Sequence, residues 1–153
     1  MTNGHLATST PPGHDLACIF CLIVSGTAPC VWLAETETSL AFMDIHPAND
    51  GHCLVIPKEH FETVFEIPPD IFAALGRLTV RVATAVHEVL RPPGLSLVQA
   101  NGGAAHQTVP HLHIHILPRQ DDDGLLLNWD RTKEGESTRI AEVAEQIRRH
   151  LQR

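Results

Sequence analysis

Ten residues, Pro110 to Arg119, read PHLHIHILPR and constrain the chain more than any other stretch. Leu112, Ile114, Ile116 and Leu117 are apolar β-formers, and Pro110 and Pro118 punctuate the ends, so the stretch reads as a short strand. Side chains alternate between faces of a strand, which puts His111, His113 and His115 on one face and Leu112, Ile114 and Ile116 on the other. One face goes to a core, and the other presents three imidazoles.

A lone histidine on a strand is most simply a solvated side chain with no chemical task. Three at a strict spacing of two, opposite an unbroken apolar face, are hard to reach by chance. Imidazole titrates near neutral pH and can serve as nucleophile, hydrogen-bond donor or metal ligand. Strand neighbours two apart lie about 6.5 to 7 Å apart at Cα, so adjacent members could share a metal while all three would struggle to. A line of imidazoles also suits an extended anionic substrate.

The 153 residues suffice for one core, and the make-up, 43% apolar and 19% charged, is that of a globular domain. A net charge of −7 argues against a nucleic-acid groove but leaves room for a nucleotide in a local pocket. The apolar run Ala17 to Val24 is too short to span a bilayer, and no Lys or Arg occurs before Lys58, so no basic leader precedes it. A cytoplasmic protein without membrane association is the expectation. In that compartment Cys18, Cys21, Cys30 and Cys53 read as thiols or metal ligands, not disulfides.

Residues 1–15 are rich in Thr, Ser, Pro and Gly and read as a flexible tail, with the folded domain over 16–153. Cys18 to Ile23 is a short apolar turn or helix carrying C-x-x-C. Strands follow over Val31–Glu35, Leu40–Asp44 and His52–Ile56, joined by short turns that favour an antiparallel meander. From Pro68-Pro69-Asp70 a long helix runs with Ile71, Leu75, Leu78, Val82, Val86 and Val89 as one buried stripe, stopped by Pro92-Pro93-Gly94. Leu95–Ala100 is a further strand, and Asn101 to Ala105 a loop into the histidine strand. A last helix carries Ile140, Val143, Ala144, Ile147 and Leu151 on one side. The order gives an α+β class. Asp121-Asp122-Asp123, beside Gly124, reads as a solvated bend.

The stretch Asn101 to Leu117 resembles the histidine triad (HIT) family, whose signature is H-x-H-x-H followed by two apolar residues. Cys18-Ile-Phe-Cys21, Leu40-Ala-Phe-Met-Asp44-Ile, Gly51-His52-Cys-Leu-Val-Ile-Pro-Lys-Glu-His60 and Gln107-Thr108-Val109 look like family segments in family order. The resemblance implies a five-stranded antiparallel sheet, a homodimer, and hydrolase or transferase chemistry on purine nucleoside monophosphate esters, phosphoramidates or dinucleoside polyphosphates. By position it implies that His113 is the nucleophile, that His115 contacts the α-phosphate and leaving group, and that His52 supports them. It puts Asp44 at the ribose hydroxyls and Asn101 near the phosphate. Ile19, Phe20, Ile23, Phe42 and Ile45 are base-pocket candidates with an equally good claim as core, and Asp44 could instead cap its own turn. Gln107, Thr108 and the backbone N–H groups at Ala105 and His106 are the phosphate-donor candidates. His106 departs from the family, most members of which carry a small residue there, often Gly.

C-x-x-C alone is ambiguous between zinc, a redox pair and buried thiols. With His60 and His111 it makes a Cys2His2 set suited to a closed tetrahedral zinc site, as in a similar C-x-x-C subset of the family. That zinc would be structural and would leave His113 free. Two other readings stay open on sequence: a hydrolase in which His111 and His113 hold a catalytic zinc, and a nucleotide-sensing module with little turnover. Trp129 and Asn128 to Glu136 could reach across an interface to the leaving group.

Overall fold

The computed structural model describes residues 15–125 and Thr138. The bulk of the expected tail, the segment around Trp129 and the closing helix over 140–151 lie outside the described residues. Residues Met1–Asp123 form one compact unit and Gly124–Arg153 a second. The architecture that follows belongs to the first.

Helix α1 (Ile19–Val24) leads to strands β1 (Trp32–Glu35), β2 (Ser39–Met43) and β3 (Cys53–Pro57), then helix α2 (Pro69–Leu90), β4 (Gly94–Val98) and β5 (Ile114–Arg119). The strands form one antiparallel sheet in the order β1-β2-β3-β5-β4. The α+β class and five-stranded antiparallel sheet expected from the sequence are therefore what the chain forms.

Alternation along the strands divides the core into two layers. Ala41, Cys53, Val55, Leu112, Ile114 and Ile116 face α2, whose Leu75, Leu78 and Val82 are buried against them. Each buried Leu, Ile or Val among them contributes about 2 kcal/mol on leaving water. On the opposite face Leu40, Phe42, Leu54 and Ile56 pack under Phe20 of α1 with Cys18 and Cys21. The stripe on α2 is shorter than its periodicity implied: Val89 is exposed, one turn before Arg91 closes the helix in a left-handed conformation.

The histidine strand is also shorter than expected, starting at Ile114 and not Pro110. Its pairing with β3 ends at Val55 opposite Ile114. Two residues further, that register brings Pro57, which has no N–H, opposite Leu112. The Leu112 N–H goes instead to the Phe61 carbonyl, 2.6 Å away. His111 and His113 thus sit on an irregular approach to the strand, and only His115 lies in it.

Candidate functional site

The approach segment and the first residues of β5 bring His111, His113 and His115 together with His52, which precedes β3, and neighbouring groups fix which nitrogen of each carries the proton. His113 is 3% exposed and its Nδ1 lies 2.6 Å from the His111 carbonyl. A carbonyl only accepts, so Nδ1 carries the hydrogen and Nε2 holds the lone pair. That lone pair has no protein partner among the described residues. Nor is the atom sealed, since Ser39 Oγ is the one fully enclosed polar side-chain atom without a partner among them. Burial first of all lowers the pKa of His113, which keeps the ring neutral and nucleophilic.

The second chain of protons starts at Ala48. Its N–H donates to Nδ1 of His52 at 3.1 Å, so the His52 proton must sit on Nε2. That nitrogen is 2.9 Å from Nδ1 of His115, which it therefore donates to, leaving the His115 proton on its outward Nε2. Burial, followed by His113 and His52, pulls His115 down to about 4, and burial also lowers His52. His113 and His115 stand ring to ring with centroids 4.9 Å apart. The outcome is one bare lone pair beside one outward N–H, a pair able to attack an electrophile and to hydrogen-bond the group being displaced.

His111 faces the other way. It is fully buried; Nε2 donates to the Pro57 carbonyl at 2.9 Å, which turns Nδ1 toward Cys18 Sγ at 3.5 Å and Cys21 Sγ at 3.6 Å. His60 Nδ1 lies 3.3 Å from Cys21 Sγ, and the four ligand atoms are all within 4.8 Å of one another. Zinc bonds of about 2.3 Å to sulfur and 2.05 Å to nitrogen put tetrahedral S and N ligands about 3.6 Å apart, so the donor set fits that ion. The Pro57 carbonyl provides the outer hydrogen bond such histidine ligands ordinarily make. Burial pushes the Cys21 thiol up to about 11, a cost that ligation of a cation relieves. His113 is not part of this cluster, so the arrangement does not support a catalytic zinc shared by His111 and His113.

Asp44, His52 and His115 also converge closely enough for a metal. The Ala48 N–H argues against it, because it holds the His52 proton on the nitrogen that would have to bind. Asp44 Oδ1 caps the His46 N–H at 2.8 Å, the turn-capping alternative, while Oδ2 stands 3.5 Å from His52 Nε2.

Other candidates are placed differently from expectation. Gln107 accepts the Gly102 N–H at 2.6 Å and donates to the Glu62 and Val109 carbonyls, so its amide braces the loop. Asn101 is committed likewise, pairing with Gln99 and accepting the Val64 N–H at 2.7 Å. The N–H groups of Ala105 and His106 are used inside the loop, on Gly102 and Gly103. The N–H groups of Thr108 and Val109 have no such partner among the described residues, and the Thr108 side chain is exposed, so the uncommitted hydrogen-bond donors lie slightly downstream. Of the base-pocket candidates, Phe20 and Phe42 are buried in edge contact with centroids 5.5 Å apart, whereas Ile19 and Ile45 are exposed. Sequence reading missed the Ala48 N–H and the His111 and Pro57 carbonyls, because backbone groups leave no trace in residue type.

Residues 25–122 match the HIT domain. An adenosine 5'-monophosphoramidase of Schizosaccharomyces pombe is 44% identical over 115 residues, 74% of this chain and 84% of that protein. A crystal structure from Streptococcus mutans superposes with a TM-score of 0.86 at 34% identity, covering 97% of each chain. A zinc-bound histidine triad family protein from Mycobacterium smegmatis superposes at 0.68 with 39% identity, over 76% of this chain and 84% of that one.

Proposed function

Since this chain belongs to the HIT domain family, we propose that it is a nucleotide hydrolase or transferase that cleaves purine nucleoside monophosphates from a leaving group through a nucleotidyl-His113 intermediate. The observation that carries this reading is the 2.6 Å hydrogen bond from His113 Nδ1 to the His111 carbonyl, which leaves Nε2 bare. Its lone pair forms the N–P bond as the bond from phosphorus to the leaving group breaks, and the leaving group departs with the electron pair and takes up a proton from solvent. Nδ1–H stays on the carbonyl and spreads the positive charge gained by the ring. Water then attacks phosphorus, Nε2 leaves with its pair, and the water's proton passes to solvent.

The outward Nε2–H of His115 hydrogen-bonds the leaving group, and His52 holds that ring in its tautomer. Thr108, with the N–H groups of Thr108 and Val109, neutralises the non-bridging oxygens. Gln107 and Asn101 act by shaping that loop. Asp44, through its remaining oxygen, is assigned to the ribose. Cys18, Cys21, His60 and His111 would hold a structural Zn2+, which when bound fixes the start of the domain to the approach to β5. Among the described residues no helix is long and apolar enough to cross a membrane, and we assign the protein to the cytoplasm. Strand β4 ends the sheet with exposed Leu97, and Val80 is exposed on α2, which favours a homodimer through that edge.

Turnover of an AMP phosphoramidate by wild-type protein and by His113→Ala tests the assignment. We expect the variant to retain nucleotide binding and lose turnover; full turnover in the variant overturns it, and binding without product in the wild type reduces the protein to a binding module.

A further inference from the structure

The nucleophile and the Cys2His2 cluster share a residue. His111 gives its ring to the cluster, through Nδ1 facing Cys18 and Cys21, and gives its main-chain carbonyl to the Nδ1 proton of His113. Anything that rotates this side chain strains the peptide unit that fixes the tautomer of the nucleophile. A second link runs through α1. Phe20 lies between Cys18 and Cys21, and its ring stands edge-on to His111 at 5.7 Å and 77° and to His113 at 5.3 Å and 82°. The helix that carries it has six residues and no side-chain cap at its start. A helix this short does not hold its place by its own hydrogen bonds, so the two cysteines that anchor it also set the position of Phe20.

We propose that the Cys2His2 cluster is a positioning device for the nucleophile, with Phe20 and the His111 carbonyl as its two arms, and that Phe20 is a positioning residue for the proposed reaction. The ring blocks rotation of His113 away from the carbonyl by occupying the space into which its imidazole would swing. Groups that orient a metal ligand from one step away cost about 10-fold to 100-fold in metal affinity or activity when altered, and we take that range for Phe20. Only the kinetic consequence rests on the function proposed above; the structural coupling does not.

The experiment uses full-length, zinc-loaded protein labelled with 15N at histidine, as wild type and as Phe20→Leu, which keeps an apolar side chain and all four ligands. Three quantities are read: bound zinc, the His113 tautomer from long-range 1H–15N spectra, and kcat and KM on an AMP phosphoramidate. We expect Phe20→Leu to keep the wild-type zinc content, to show a mixture of His113 tautomers where the wild type shows Nδ1–H alone, and to lose kcat by about 10-fold or more. Zinc-depleted wild type that remains folded should show the same mixture. A wild-type His113 spectrum in Phe20→Leu overturns the proposal, as does an unchanged kcat. If the wild type turns over no nucleotide, the proposed function fails while the spectra still decide the coupling.

Discussion

Acidification should destabilise the folded chain through His115 by an amount the site itself sets. An imidazole in the unfolded chain titrates near 6.5, whereas burial, then His113 and His52, hold His115 down to about 4, with Asp44 opposing them. A group whose folded pKa is depressed leaves stability intact above the unfolded value and erodes it as pH falls toward the folded one. At about pH 5 the unfolded chain gains RT ln(1 + 10^1.5), about 2 kcal/mol, from protonating this ring, while the folded chain gains almost nothing. His115 is half-buried, so solvent screening reduces the figure to about 1 kcal/mol. The assay is urea unfolding of wild type and His115→Gln at about pH 7.5 and about pH 5, taken as a difference of differences so that loss of a bound cation cancels. The wild type should lose about 1 kcal/mol more than the variant. Equal losses would refute the reasoning that a buried donor chain keeps His115 neutral.

Two further predictions concern the backbone. Gly51 has φ +85, and a Cβ there would press on Pro118 Cγ and displace the exposed end of Leu90, so Gly51→Ala should cost about 1 to 2 kcal/mol, chiefly through its backbone, in thermal or urea unfolding. A variant as stable as wild type would mean that the turn before β3 is built differently. His106 has φ 63, a left-handed conformation that glycine adopts freely, so His106→Gly should gain about 0.5 to 1 kcal/mol in the same assay. A loss instead would show that the imidazole makes a stabilising contact.

Much of the fold was legible because side-chain periodicity reports burial directly. Leu54 and Ile56 against Val55, and Leu75, Leu78 and Val82 at helical spacing, mark their faces in the sequence itself. The cluster of Cys18, Cys21, His60 and His111 was legible for a related reason: ligand side chains advertise the metal they suit. Less could be read where the backbone acts. The strand reading put all three triad histidines in one row, yet Pro57 ends the ladder and splits them between two jobs. Gln107 looked like a donor to a phosphate, but its amide is spent on three main-chain groups. The left-handed turn at His106 gives a physical reason for the small residue the family usually keeps there. Nothing in the identity of Ala48 hints that its N–H sets the protons of two histidines.

The most direct measurement of the central claim is isolation of the covalent intermediate. Protein mixed with an AMP phosphoramidate, quenched in the first turnover and mapped by peptide mass spectrometry should carry one nucleotidyl group on His113, joined through Nε2. Turnover with no adduct, or an adduct on His115 or another residue, would contradict the account.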